Sequence, residues 1–178
     1  MTDWGKLLTP AEVPNAMRER KKAYLEKTAW RIALPNEEKE GWSFYKDTKN
    51  PEKVKVRKNK PLDEIFENRL WVLFAQMGFC VLNRDRTFAI NYSQKGQNLS
   101  KQIDVFAMDE ETVLVVECKC AEKINDRKQW KTELEAINGY MGSVRNEIIK
   151  KFPSRNVKFI FATQNYIVGE QDKKEWKN

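Results

Sequence analysis

The chain has 178 residues, with 33 basic and 26 acidic side chains and no histidine. Its length fits one domain of ordinary size, or one domain with an appendage. The lack of histidine excludes Ser-His-Asp and Cys-His triads, His-Asn-His nucleases and histidine-based zinc hydrolases from this chain. Any hydrolytic chemistry must therefore use carboxylates, lysine and a metal ion held by oxygen.

The net charge of +7 is unevenly distributed along the chain. Residues 1–60 carry fifteen basic and nine acidic side chains, residues 61–125 carry seven and ten, and residues 126–178 carry eleven and seven. Basic flanks around an acidic centre suit a protein that holds a polyanion and places a cation beside it. A basic protein with solvated lysines is the alternative that charge alone leaves open.

The cysteine and hydropathy patterns predict a soluble protein of the cytoplasm. The three cysteines, Cys80, Cys118 and Cys120, do not suit a disulfide framework and are too few for a structural zinc. No run approaches the roughly 18 apolar residues of a membrane helix, and the first residues lack the apolar stretch of a secretory signal. The last residues show no obvious stop signal, so we allow for further domains in a longer protein.

Residues 1–61 are predicted to form a basic, partly helical N-terminal extension. Residues 10–33 have a polar and mostly helical composition, with Pro10 as a first-turn residue. Residues 34–61 are predicted to be a loop or irregular ribbon, because proline and glycine interrupt them. The aromatic residues of the extension are expected to pin it to the main core, and stacking on bases is the alternative. These residues are Trp30, Trp42, Phe44 and Tyr45.

Residues 62–178 are predicted to form a compact α/β unit. Apolar residues at helical spacing predict a first helix, with Asp63 as its cap and Gly78 at its end. Residues 84–101 are polar and are predicted to be a loop, with Gly96 and Asn98 as turn residues. Strands are predicted at 79–83, 103–108, 113–120 and 157–163, and a long amphipathic helix from Asp126. Both faces of the central strands are apolar, so we expect a sheet covered by helices on each side.

The strongest pattern is a hairpin of two apolar strands with a polar tip at residues 109–112. Symmetric closure about this tip places Asp104 opposite Glu117, and Gln102 opposite Lys119. A symmetric two-residue or four-residue loop gives the same pairing. Because side chains alternate along a strand, Glu117 and Lys119 share one face of the sheet.

Two directly opposed carboxylates repel each other and resist burial, and a divalent cation between them removes both penalties. Magnesium suits Asp104 and Glu117, since it prefers oxygen and commonly takes one or two carboxylates together with water and phosphate. Lys119 would position the attacking water or help to deprotonate it. The alternative is that Glu117 and Lys119 form an ordinary surface ion pair at a strand end.

On these residues the chain resembles the PD-(D/E)xK nuclease superfamily. Ile103-Asp104 resembles the first half of the motif, with isoleucine in place of proline, and Glu117-Cys118-Lys119 matches the second half. The element order of residues 62–164 is similar to the restriction-endonuclease-like core, αβββαβ with a mixed central sheet flanked by helices. Three short segments most resemble the Mrr-like and archaeal Holliday-junction-resolvase branch. They are residues 65–68, 78–79 and 115–119.

The resemblance implies that Asp104 and Glu117 bind Mg²⁺, with Mn²⁺ able to substitute, and that Lys119 acts on the nucleophilic water. Members often add a glutamate from the first helix. Glu67 is the best match and Glu64 the alternative, although either would also favour the positive N-terminal dipole of that helix. Gln102 is expected to orient Lys119 or a water molecule.

These observations predict a magnesium-dependent endonuclease that hydrolyses DNA phosphodiester bonds, in restriction, defence or repair. Nuclease cores of this type commonly form homodimers, but no surface of this sequence can be assigned to that contact. The alternative is a nucleic-acid-binding scaffold with a nuclease-like fold and no activity of its own. A third hypothesis is a subunit whose exposed tryptophan-rich segments bind a protein partner.

Overall fold

The computed structural model describes residues 2–125, 130–167 and 169–170. These residues form a mixed α/β protein whose strands make three sheets. None of its helices, within that described part, is both long and apolar enough to cross a membrane. The helices are α1 Val13–Arg20, α2 Leu34–Lys39, α3 Leu62–Gln76 and α4 Trp130–Lys151. The strands are β1 Tyr24–Trp30, β2 Ser43–Asp47, β3 Lys53–Asn59, β4 Val81–Leu82, β5 Ala89–Gln94, β6 Gln97–Gln102, β7 Val105–Met108, β8 Thr112–Asn125 and β9 Asn156–Tyr166.

The largest sheet has four strands in the order β4-β7-β8-β9. Strand β7 is antiparallel to β4 and β8, and β9 is parallel to β8. Side-chain alternation gives this sheet two apolar faces, so helices cover both. Val105, Ala107, Leu114 and Val116 pack with α3, whereas Phe106, Met108, Val113 and Val115 pack with α4. The prediction of a mixed α/β fold with a sheet covered on both faces is therefore confirmed.

Helix α3 begins one residue before the predicted cap. Pro61 is the N-cap residue and no side-chain hydrogen bond caps the helix, so the predicted cap at Asp63 is wrong. Asp63 instead binds Arg86, with 2.6 Å between Oδ2 and Nη2. Gly78 follows the helix with a φ of +102°, in the left-handed region that favours glycine. The predicted start of the last helix, Asp126, lies outside the described residues.

The predicted loop at residues 84–101 is wrong, because β5 and β6 form a two-stranded antiparallel sheet there. Lys95 and Gly96 connect the strands, and both have positive φ, as in the type I′ turns of tight hairpins. Asn98 lies within β6 rather than in the turn. The hairpin packs beside α4, where the Gln94 side chain donates a hydrogen bond to the carbonyl oxygen of Gly139 at 2.7 Å.

The predicted irregular ribbon at residues 34–61 is also wrong. Strands β2 and β3 join β1 in a three-stranded antiparallel sheet of order β1-β3-β2. Strand β1 lies in the later part of the stretch predicted to be helical, and α1, in its earlier part, begins at Val13, after Pro10. Val54 and Val56 of β3 are fully buried and alternate with half-buried cations, which is the period of a strand with one covered face.

The aromatic residues of the extension do not pin it to the main core, contrary to expectation. Trp30, Phe44 and Tyr45 are 52%, 48% and 40% exposed, and Trp42 packs on the small core of the three-stranded sheet. Residues 2–20 make the attachment instead. The Leu8 amide donates to the Leu82 carbonyl at 2.8 Å, the Trp4 ring packs on Phe152, and Arg20 lies over the Trp71 ring. A domain boundary between residues 61 and 62 stays a prediction.

Candidate active site

The β7–β8 hairpin has the predicted symmetric register. Val105 lies opposite Val116, and the pairing continues without a shift to the tip. Asp109 holds the tip, because its Oδ1 accepts hydrogen bonds from the backbone amides of Glu111 and Thr112 at 2.8 and 2.7 Å. This local turn fixes which residues face each other at the other end of the hairpin.

Asp104 lies at that open end, one residue before β7, where the backbone bends. Its Oδ2 accepts a hydrogen bond from the backbone amide of Cys118 at 2.8 Å, which places it beside Glu117. Its backbone carbonyl accepts a bond from the Asn83 side chain at 3.3 Å. Burial raises the pKa of the Asp104 carboxyl, and the charge of Glu117 raises this pKa further. The end of the hairpin therefore holds negative charge that a cation would stabilise.

Glu117 is the centre of a polar cluster on the α4 side of the sheet. Its Oε2 lies 2.8 Å from Lys101 Nζ, and its Oε1 lies 3.5 Å from Lys119 Nζ. The Tyr140 hydroxyl donates to Oε2 at 3.4 Å. Burial and the charge of Glu117 raise the pKa of Tyr140, so this hydroxyl stays a hydrogen-bond donor. Lys119 also lies 3.8 Å from Glu133 Oε2, and its side chain is one-third exposed. The ammonium of Lys119 is thus held beside the carboxylates of Glu117 and Glu133.

Sequence reasoning missed Lys101 and Tyr140. Lys101 comes from β6, in the stretch predicted to be a loop, and the packing of that hairpin beside α4 brings it to Glu117. Tyr140 lies three residues after Ile137 and four before Val144, both buried. This helical spacing was the available signal that Tyr140 faces the sheet.

The predicted third ligand, Glu67 of α3, is 4% exposed and is bound by Arg86. The distances are 2.7 Å from Arg86 Nε to Oε2 and 2.8 Å from Nη2 to Oε1. Burial raises the pKa of Glu67 to about 7, with a further contribution from the charge of Asp104. The alternative candidate, Glu64, lies 3.8 Å from Lys60 and 4.0 Å from Arg86. Basic side chains therefore pair with both Glu64 and Glu67.

Gln102 does not take the predicted position opposite Lys119. It is the last residue of β6 and lies opposite Ala89. The chain leaves the two-stranded sheet at Ile103, whose amide donates to the Phe88 carbonyl at 3.0 Å, before it enters β7. The predicted pairing is wrong because it assumed one continuous strand. A role for Gln102 in orienting water stays a prediction.

The donors that the described residues offer to a magnesium ion are two neighbouring carboxylates rather than three. Within residues 2–125, 130–167 and 169–170, no group of three or more histidine, cysteine, aspartate or glutamate side chains is arranged to hold a metal. Asp104 and Glu117 remain as neighbouring carboxylates, and burial together with the charge of Glu117 raises the pKa of Asp104. Magnesium commonly uses one or two protein carboxylates and completes its shell with water and substrate phosphate.

Comparisons with known proteins find no match: no family model, no curated protein and no solved structure matches the chain significantly. Function therefore has to be inferred from the geometry and charge of the site and from the resemblance of its motif. Asp104, Glu117 and Lys119 are the residues on which that inference depends.

Replacing Glu67 with glutamine is expected to flatten the pH dependence of stability between about pH 4.5 and 7. Because the pKa of Glu67 is about 7 in the folded protein and 4.5 ordinarily, the folded state retains a proton that the unfolded chain loses. The free energy of unfolding of the wild type therefore falls as pH rises through this window. Glutamine keeps an acceptor for Arg86 but does not ionise, so a decline on the order of 2 kcal/mol should disappear.

Urea denaturation at about pH 5 and pH 7.5, with a chelator present, measures this difference. Asp104 titrates in both proteins, so subtracting the two profiles leaves the contribution of Glu67 together with its electrostatic coupling to Asp104. Parallel profiles would show that Arg86 keeps Glu67 ionised across the whole window.

Proposed function

We propose that the chain is a divalent-metal-dependent nuclease that hydrolyses DNA phosphodiester bonds. The observation that carries the proposal is the juxtaposition of Asp104 and Glu117 at the end of one hairpin, with Lys119 one pleat further along the same face. The order α3-β4-β7-β8-α4-β9, with the β5–β6 hairpin inserted, supports a restriction-endonuclease-like core. DNA as the substrate, a homodimer and a part in restriction, defence or repair belong to the same proposal and rest on the resemblance.

Asp104 and Glu117 are the residues that would hold Mg²⁺, or Mn²⁺ in its place. When bound, the ion supplies Lewis-acid stabilisation for the charge that develops on the phosphate. The hydrogen bond from the Cys118 amide fixes the orientation of the Asp104 carboxylate. Tyr140 does the same for Glu117 from helix α4. Both carboxylates are therefore oriented by groups on rigid elements.

Lys119 is the residue that would act on the attacking water. Its ammonium is 3.5 Å from Glu117 and 3.8 Å from Glu133, so opposing carboxylates hold it in place. From there it can orient a water molecule by a hydrogen bond and offset the charge on the phosphate in the transition state. Lys101, on another oxygen of Glu117, provides a second cation for the same phosphate.

The direct test is cleavage of supercoiled plasmid and branched DNA by the wild-type protein. We expect nicked and linear products with millimolar Mg²⁺ or Mn²⁺, and none with an excess of chelator. Binding to the same DNA is measured in parallel with the chelator present. Binding without cleavage in either metal would contradict the nuclease and favour the scaffold described below.

Magnesium is also expected to raise the thermal unfolding temperature of the wild-type protein. A ligand that binds only the folded state at about 100 times its dissociation constant stabilises that state by about 2.7 kcal/mol. Glu117→Gln should lose this stabilisation, because a neutral amide is a poor magnesium ligand. Glu122→Gln is the matched control, since Glu122 is an exposed carboxylate on the same strand. Differential scanning fluorimetry across a magnesium titration measures both variants, and equal shifts would exclude Glu117 as a ligand.

A nucleic-acid-binding scaffold without catalytic activity is the second candidate. The observation that favours it is that basic side chains of the same chain pair with the acidic side chains of the site. Lys101 and Lys119 both contact Glu117, and Arg86 binds both oxygens of Glu67. A protein that never binds a metal would use such pairs to offset buried carboxylates. This candidate predicts DNA binding that magnesium does not strengthen, and no metal-induced stabilisation.

A further inference from the structure

One face of the β1-β3-β2 sheet carries aromatic and basic side chains in alternating rows. Cross-strand pairing places Trp30 beside Lys53 and Glu26 beside Arg57 on this face. The opposite face holds the small core of Ala29, Val54 and Val56. We call the outer surface the basic–aromatic face, and its main residues are Tyr24, Trp30, Tyr45, Lys53, Lys55 and Arg57.

Of the three rings on this face, Trp30 and Tyr45 are exposed and Tyr24 is half-buried, and each has a cation over it. Trp30 is 52% exposed and Tyr45 is 40% exposed. Lys53 Nζ lies 4.5 Å from the centre of the Trp30 ring. The Arg57 guanidinium lies 3.9 Å from the Tyr24 ring and 3.1 Å from the Tyr45 ring. These contacts orient the rings without burying them, and the small core does not need them. Exposed, oriented rings of this kind are stacking surfaces.

The charge of the face is positive. Lys46 pairs with Lys55 across β2 and β3, so it shares the face with Lys53 and Arg57. Glu26 is a carboxylate of this face, and it lies 2.6 Å from Lys55 and 3.2 Å from Arg57. The described cations on this face therefore outnumber its carboxylate. A polyanion with planar groups is the ligand that matches both the charge and the rings.

We propose that the basic–aromatic face binds single-stranded nucleic acid, with bases stacked on Trp30 and Tyr45 and phosphates near Lys46, Lys53 and Lys55. Exposed rings can stack only on unpaired bases, because bases within a duplex already stack on their neighbours. Lysines beside the rings place positive charge where the backbone of a stacked strand runs. An acidic peptide would satisfy the charge but leave the rings unused.

The face also continues towards the candidate active site. A cleft of about 430 Å³ lies between the sheet and the main core, with Tyr24 and Glu26 on one side and Arg84 and Arg86 on the other. Arg86 in turn binds Glu67 beside Asp104. This inference rests on the proposed nuclease, and the substrate class that it names for that nuclease is DNA with an unpaired segment. The basic–aromatic face would hold the unpaired segment while an adjoining part of the same DNA reaches Asp104 and Glu117.

The test is fluorescence anisotropy with a labelled oligothymidylate of about 12 nucleotides and a duplex of the same length. An excess of chelator keeps the measurement independent of cleavage. We expect the single strand to bind more tightly than the duplex, and Trp30→Ala to weaken single-strand binding by about tenfold. Ile32→Ala is the matched control because Ile32 is 91% exposed outside the strands, and its affinity should be unchanged. Trp30→Phe should restore most of the binding.

Salt dependence tests the phosphate contacts separately. Lys53→Gln should lower the slope of log affinity against log salt by about 0.7, the value for one contact to a single strand. Circular dichroism and thermal unfolding establish that each variant is folded before its affinity is compared.

Three outcomes would overturn the proposal. They are tighter binding of the duplex, equal affinity of Trp30→Ala and wild type for the single strand, and displacement of the oligonucleotide by polyglutamate at matched charge. Single-strand binding in a protein that never cleaves would contradict the nuclease and leave only the binding of single strands by the basic–aromatic face. Cleavage that persists while Trp30→Ala binds normally would do the reverse.

Discussion

Asp104→Asn is expected to lower magnesium-dependent DNA cleavage on the order of 10³-fold. Asparagine keeps an oxygen that accepts the Cys118 amide bond, so the end of the hairpin should keep its shape. The negative charge is lost, and with it one of the two carboxylates that would hold the metal. Initial rates of plasmid nicking, measured well below the unfolding temperature, give the ratio.

Control substitutions on the same strand separate an effect on catalysis from an effect on folding. Glu122 and Lys123 are exposed on β8 beyond the site, so Glu122→Gln and Lys123→Ala should cleave at the wild-type rate. Lys119→Ala should lose cleavage and keep the stabilisation by magnesium, because Lys119 is assigned to the water and not to the metal. Full activity of Asp104→Asn would remove Asp104 from the mechanism.

The hairpin that carries these residues was predictable because its determinants are local. Both strands are apolar on both faces, which predicts a central position between helices. Asp109 closes the tip through its own side chain, so the register depends on residues within four positions of each other. Asp104, Glu117 and Lys119 were found together because one symmetric turn relates all three.

The two smaller sheets were missed for physical reasons that differ. Strands β5 and β6 are largely polar because much of that hairpin faces water, and their Lys95-Gly96 turn is a weaker sequence signal than Asn-Gly. Strand β3 did show a strand period, with Val54 and Val56 alternating with lysines. That pattern was outweighed by the prolines around it, which here lie outside the strands.

The partners of the candidate ligands depend on long-range packing. Arg86 reaches Glu67 only because the chain after β4 folds back over α3. Lys101 reaches Glu117 only because the β5–β6 hairpin lies beside α4. Sequence spacing carries no information about either contact. The sequence therefore indicated Glu67 as a metal ligand without showing its contact with Arg86, and a metal-binding role for Glu67 stays a prediction.

Asn83→Ala is expected to destabilise the fold by about 3 kcal/mol. Asn83 is fully buried, and its Oδ1 accepts a hydrogen bond from the Phe106 amide at 3.0 Å. Its side-chain amide donates to the carbonyl oxygens of Asp85 and Asp104 at 3.0 and 3.3 Å. Alanine would leave these buried backbone groups without the partner they have, and each such group costs about 1–3 kcal/mol. Urea denaturation monitored by circular dichroism measures the loss.

Asn98→Ala is the matched control, since Asn98 is exposed on β6 and its loss should change stability by less than about 0.5 kcal/mol. Equal stabilities of the two variants would show that water replaces the Asn83 amide. The bond to the Asp104 carbonyl gives Asn83→Ala a second expected effect. Even where this variant is fully folded, cleavage should fall, because the backbone that aims the Asp104 carboxylate has lost a support. A variant that is destabilised but cleaves normally would separate the stability of the hairpin from the geometry of the site.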